Sequence, residues 1–195
     1  MRLRSMLVLL LLSLVAPRAF ASGGEKPSRD PNASSSMPAV GANGVAITPR
    51  QQAEQWYADA YDDIAKGKQD ARDGKTRNAE KRFRRALERA MRATEYDTTY
   101  HEAWNLAGFA ARKLGDYPKS LAAYRTSIRL KGDYAPAREY YGQALVESGD
   151  LAGASEQLAW LQKLIATDLA TQLQASIAAK QAAAPAAAPA GGAQH

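Results

Sequence analysis

Residues 100–130, YHEAWNLAGFAARKLGDYPKSLAAYRTSIRL, and residues 134–164, YAPAREYYGQALVESGDLAGASEQLAWLQKL, agree at seven positions when laid 34 residues apart. Tyr100, Ala103, Gly108, Ala110, Gly115, Asp116 and Leu130 recur as Tyr134, Ala137, Gly142, Ala144, Gly149, Asp150 and Leu164, against roughly two matches expected from background residue usage. A 34-residue period in a helical pattern marks stacked helix hairpins, each of which buries its apolar face only against a neighbour. Such a chain offers surface for binding, and no catalysis is expected of it.

Working outward, the helix boundaries follow from capping chemistry. Thr48-Pro49-Arg50-Gln51 has a hydroxyl N-cap, proline at the first helical position and glutamine placed to reach back. The helix it opens carries Trp56, Tyr57, Tyr61 and Ile64 on one stripe and should end near Gly74. A second helix holds Ala79, Phe83, Ala86, Leu87 and Ala90 at three- and four-residue steps. Thr99 followed by Glu102 predicts a capping box for the third helix, and Asp116, Asp133 and Asp150 are expected to cap the fourth, fifth and sixth. Gly115 and Gly149 suit left-handed helix-closing positions. Thr167 should start a final helix with Leu169, Leu173 and Ile177 on one face, capping the stack.

The first hairpin lies in register at a different offset. Gly67, Gly74, Ala79, Phe83, Ala86 and Leu87 precede Gly108, Gly115, Ser120, Tyr124, Ser127 and Ile128 by 41 residues, seven more than the later period. Seven residues are about two helical turns, so the second helix is predicted to overshoot its neighbours, to about Glu95. Gly108 and Gly142 are expected where helices approach closely, with Ser120 or Ala154 opposite and Tyr124 or Leu158 filling the space between.

The strings Glu102-Ala-Trp-Asn-Leu-Ala-Gly108 and Gly115-Asp-Tyr117, with Ser120, Tyr124 and Ser127, resemble the tetratricopeptide repeat. Residues 100–164 match two repeats, and residues 60–93 match a third once the insertion is allowed for. Ala107 and Ala111 depart from it, standing where larger apolar residues are usual, as does Gly132, where proline is common. The resemblance implies an all-α fold, an α-solenoid of about three antiparallel helix hairpins plus a C-terminal capping helix. It also implies a concave groove lined by the first helix of each pair. That layout puts Asn105, Phe109, Arg112 and Lys113 beside Glu139, Tyr140, Gln143 and Glu147. Asparagine and glutamine suit a peptide backbone, and Arg112 or Lys113 suits a carboxylate. The partner implied is a protein or peptide.

The flanks read differently. Arg2 and Arg4 precede an aliphatic run from Met6 to Val15, and Ala19-Phe20-Ala21 supplies small residues around a cleavage point, the pattern of an export signal over residues 1–21. About ten apolar residues make roughly 15 Å of helix, half the bilayer's hydrocarbon thickness, so a membrane anchor does not fit. The chain has no cysteine, which excludes lipid-modified signals, disulfides and thiolate chemistry. A small exported bacterial protein, periplasmic or secreted, is expected. Residues 22–47 read as a disordered linker, 48–181 as the helical domain and 182–195 as a disordered Ala/Pro-rich tail.

The formal charge of +6 falls to +3 once Arg2, Arg4 and Arg18 leave with the signal. What remains is segregated: residues 66–92 hold eleven Lys or Arg against four Asp or Glu. Lys81, Arg85, Arg89 and Arg92 fall on one helical stripe, an alternative working surface that would dock anionic lipid, cell-wall polymer or an acidic partner. Nucleic acid is not expected for an exported chain whose aromatics are committed to packing. Self-association through the exposed ends of a short stack is a third option. Of two histidines, His195 ends the tail and His101 reads as an exposed polar residue in a first helical turn. Asp62 and Asp63 are adjacent and so point about 100° apart on a helix. No catalytic cluster, phosphate loop or metal motif is present, and no cofactor is expected.

Overall fold

The computed structural model describes residues 46–183. Seven helices run through them: α1 Pro49–Arg72, α2 Thr76–Tyr96, α3 His101–Lys113, α4 Tyr117–Leu130, α5 Ala135–Ser148, α6 Leu151–Lys163 and α7 Thr167–Ala183. The export signal, nearly all of the linker and most of the tail expected from sequence lie outside the described residues. Helix α7 runs two residues past the boundary expected for the tail.

Consecutive helices pack in pairs, α1 with α2, α3 with α4 and α5 with α6. Across pairs, α1 touches α3, α3 touches α5 and α5 touches α7, whereas α2, α4 and α6 do not touch one another. The first helices therefore form a continuous inner layer, and α7 stands where the first helix of a further hairpin would. This nearest-neighbour connectivity is that of a solenoid. Helix α2 ends at Tyr96, at the overshoot expected from the 41-residue offset.

Helices approach closely at glycines. A Cβ built on Gly67 would stand 2.8 Å from Phe83, and one on Gly108 would stand 2.8 Å from Tyr124. Ser120 Oγ donates to Gly108 O at 2.9 Å, so the small residue opposite also fixes the approach. The third glycine departs from expectation. Gly142 faces Leu173 of α7, not Leu158, because Leu158 is shorter than Tyr124 and the capping helix supplies the filling side chain. Ala107 and Ala111 are fully buried, so closer packing replaces the bulk they lack.

Caps at Thr48, Asp116 and Asp150 are as expected: Thr48 and Gln51 form the reciprocal box, and the two aspartates accept from Lys119 N and Gly153 N. Two caps differ. Thr99 does not cap α3: its N–H and Oγ1–H both donate to Asp97 Oδ1, at 2.8 and 2.6 Å, which turns the hydroxyl toward the preceding loop, and the helix begins one residue later with Tyr100 as its N-cap. Asp133 does not cap α5. The N-caps of α3 and α5 are Tyr100 and Tyr134, with φ/ψ of −75/85° and −74/87° and no side-chain cap bond. The recurrence of tyrosine 34 residues apart is thus a recurrence of one backbone geometry.

Candidate functional site

Helices α1, α3 and α5 enclose a recess of about 200 Å³. From α1 come Tyr57, Tyr61, Ile64, Ala65 and Lys68; from α3, Asn105, Leu106 and Phe109; from α5 and its cap, Tyr134, Pro136 and Tyr140. The 41-residue offset maps Ile64 onto Asn105 and Lys68 onto Phe109, so each helix presents its residues at matching heights. Of the residues expected from sequence, Asn105, Phe109 and Tyr140 meet here. The α1 wall and Tyr134 were not among them. The same offset that aligned Gly67 with Gly108 carries the signal for Ile64 and Lys68.

Aromatic contacts hold the floor. Phe109 is buried between Phe83, at 6.4 Å between centroids, and Tyr140, at 5.3 Å, both edge-on, the arrangement that the ring quadrupoles favour. Tyr61 is exposed at the mouth. Burial pushes the Tyr134 phenol up to about 12 and also raises Tyr57 and Tyr140, so these three phenols are neutral at physiological pH.

Asn105 is only 7% exposed, and its Oδ1 has no hydrogen-bond partner. A buried acceptor left unpaired costs roughly 1–3 kcal/mol. Arg112, buried, donates from Nη1 to Glu147 Oε1 at 2.8 Å and lies 5.4 Å from the Phe109 centroid and 5.9 Å from that of Tyr140. The carboxylate it meets in this structure is Glu147. Glu139 is buried and accepts from Gln143 Nε2 at 3.0 Å; burial raises its pKa, opposed by that bond and by Arg112 and Lys68. Lys113 remains on the exposed rim with its ammonium 5.6 Å from the Phe109 centroid.

The basic stripe has a different setting. Arg85 Nη2 and Arg89 Nη1 donate to Asp63 at 2.5 and 2.8 Å, with Arg82 Nη1 at 3.5 Å. Asp63 is 1% exposed, so two members of the stripe tie α2 to a buried carboxylate on α1. Arg92 pairs with Glu95, and Lys81 has no ion pair among the described residues. Asp62 is exposed and pairs with Lys66, so the two adjacent acids do diverge. His101 differs from the exposed residue expected: packing against Tyr134, centroids 4.8 Å apart and edge-on, draws it in, with Nδ1 2.8 Å from Glu102 Oε2 and Nε2 buried without a partner. Among the described residues no three His, Cys, Asp or Glu side chains gather in a metal-binding group, and no helix is long and apolar enough to cross a membrane.

Comparison with solved structures places this architecture. The TPR2B domain of yeast Sti1, from its pHsp70 complex, superposes with a TM-score of 0.53 at 14% identity, covering 67% of this chain and 98% of that one. The Yersinia enterocolitica type III secretion chaperone SycD, in complex with a peptide of the translocator YopD, gives 0.51 at 19% identity, over 66% and 92%. The second TPR domain of human RPAP3, in complex with an HSP70 peptide, gives 0.50 at 19%, over 65% and 98%. The fold is that of a tetratricopeptide-repeat solenoid. No family model matches the chain, and no curated protein is detectably similar to it in sequence. Within the tetratricopeptide layout, the recess lies on the inner layer formed by the first helix of each pair.

Proposed function

We propose that this chain is a non-enzymatic scaffold of the bacterial cell envelope that holds an extended segment of a protein partner across α1, α3 and α5. One observation carries the reading: buried Asn105, whose Oδ1 has no hydrogen-bond partner, lines a recess walled by aromatic rings. Such a recess takes an apolar side chain while the acceptor takes a backbone N–H, the division of labour usual in ligand sites. SycD and the RPAP3 domain, which share the fold, are described in complex with peptides, which supports the same use of the groove here. The envelope location rests on the sequence of residues 1–21.

The test is affinity capture from a bacterial envelope extract, run in parallel with an Asn105→Ala/Tyr140→Ala variant that retains its helical circular dichroism. A partner held by the parent and lost by the variant is the expected outcome; equal retention rejects the groove. N-terminal sequencing of the protein from an osmotic-shock fraction should begin at Ser22. Retention of residues 1–21 on a membrane-bound product rejects export.

A further inference from the structure

The outer layer of second helices concentrates the positive charge. Helices α2, α4 and α6 together carry eleven Lys or Arg against four Asp or Glu, whereas the inner α1, α3 and α5 carry seven against eight. Helix α4 holds no acidic residue. Arg77, Lys81, Arg84, Glu88 and Arg92 recur at three- and four-residue steps along α2, exposed and opposite the buried Ala79, Phe83, Ala86 and Ala90. Arg125 and Arg129 stand likewise on α4, opposite Ser120, Tyr124 and Ser127. Arg84 and Arg92 are paired within α2, with Glu80 and Glu95. Arg77, Lys81, Arg125 and Arg129 form no ion pair among the described residues, and Arg85 and Arg89, turned toward Asp63, lie off this face.

Between the two stripes the layer is open. Because α2 and α4 do not touch, a recess of about 370 Å³ separates them, lined by Leu87 and Met91 of α2, Trp104 of α3, and Ala122, Ala123 and Thr126 of α4. Its polar side chains are already engaged: Trp104 Nε1 donates to Thr98 O at 3.0 Å and Thr126 Oγ1 to Ala122 O at 3.1 Å, and Lys119, which also lines it, pairs with Asp116. An extended peptide laid here would bury N–H and C=O groups without partners, whereas a hydrocarbon chain has none to leave unpaired and gains by leaving water. The stripe on α2 alone spans about 22 Å, so its charge is spread as headgroup charge is spread. We infer that the outer face of α2 and α4 docks on an anionic phospholipid bilayer, with its arginines on the headgroup phosphates and an acyl chain in the slot. Arginine suits a phosphate, and charge attraction together with apolar burial is what holds a peripheral protein on a membrane.

Co-sedimentation of the full chain with vesicles tests this, using phosphatidylcholine alone and equal parts phosphatidylcholine and phosphatidylglycerol. Parent and variants share the apolar run at residues 6–15, so the difference between the two vesicle types is the quantity read. The parent should favour the anionic vesicles and lose that preference as salt rises. Arg125→Glu/Arg129→Glu, changed only at exposed positions, should bind them at least about tenfold more weakly, since each arginine near an anionic bilayer is worth about fivefold. Asn105→Ala/Tyr140→Ala should bind as the parent does, which separates this face from the inner recess. For the slot, phosphatidylglycerol brominated on its acyl chains should quench the fluorescence of Trp104 in a Trp56→Phe/Trp160→Phe background that keeps the parental circular dichroism. Equal binding to the two vesicle types, or undiminished binding by Arg125→Glu/Arg129→Glu, overturns the assignment. Charge-dependent binding that leaves Trp104 unquenched overturns the acyl-chain slot. If the vesicles fail while polyglutamate is held by the parent and released by Arg125→Glu/Arg129→Glu, the face serves an acidic protein and the lipid reading falls.

Discussion

At Gly108 the absence of one methyl group decides whether the second hairpin closes. A Cβ there would stand 2.8 Å from Tyr124 Cδ1 and Cε1, and Tyr124 is fully buried with no room to retreat. Alanine gains about 1 kcal/mol of helix propensity over glycine, but overpacking costs about 1–3 kcal/mol, so Gly108→Ala should be neutral to destabilising and Gly108→Leu should unfold the domain. A melting temperature for the leucine variant within a degree or two of the parent would show this packing register to be wrong. Ile165 makes the opposite case. It has φ of 56°, is 84% exposed, and takes the helix-closing position that Gly74 and Gly115 take after α1 and α3, with Ile165 N bonded to Gln162 O and Ala166 N to Leu161 O. A left-handed L-residue costs roughly 1–2 kcal/mol, and no burial offsets it, so after the entropy lost by glycine, about 0.5–1 kcal/mol, Ile165→Gly should raise stability by about 0.5–1 kcal/mol. Urea midpoints measure it; a lower midpoint refutes the strain. The glycine closures were legible in the sequence, whereas Ile165 was not, because no local rule puts a β-branched residue there.

Between elements, charge placement matters more than charge count. The basic run over residues 66–92 looks like a free surface when only α2 is considered, but in the hairpin Arg85 and Arg89 converge on Asp63 of α1. Hydrogen bonds to a charged group are worth about 1.5–3 kcal/mol, and the half-exposed Arg85 lowers the sum through solvent screening. Asp63→Ala should therefore cost about 2 kcal/mol in urea unfolding, and a cost below about 0.5 kcal/mol would reduce the contact to decoration. For the same reason Arg85→Glu/Arg89→Glu sets acids against a buried acid and should unfold the hairpin rather than report on surface binding. The junction of α3 and α5 holds a pH response. Burial holds His101 below its ordinary 6.5, against the pull of Glu102 and with smaller repulsion from Lys131 and Arg50. The unfolded chain thus binds the proton more readily. Stability should be full above about pH 6.5 and fall as pH drops from there through the lowered folded value, separate from carboxylates such as Asp97 and Asp116, which titrate below 3.8. His101→Gln should flatten that window in a pH series of thermal melts; an unchanged slope assigns it elsewhere.

For the molecule as a whole, stability propagates along the stack, and the last helix closes it. Leu173 is fully buried against Gly142, and Ile177 and Ala170 cover Leu145, Val146 and Leu161. Each large side chain so buried contributes roughly 1.5–3 kcal/mol, so truncation after Leu164 should melt α5 and α6 first and expose dye-binding apolar surface. Hydrogen exchange that left α5 protected in the truncated chain would mean that each hairpin stands alone. The sequence by itself determined the helix count, the hairpin pairing, the two-turn overshoot of α2 and most of the closures, because periodicity, capping and glycine placement are local and each recurs at a fixed offset. Tertiary structure alone decided that Leu173 and not Leu158 faces Gly142, that Arg85 and Arg89 are held by Asp63, and that Lys68 joins Lys113 beside Phe109. These pairings join helices distant in the chain, and which charges are neutralised or left open depends on where the neighbouring helix brings its own.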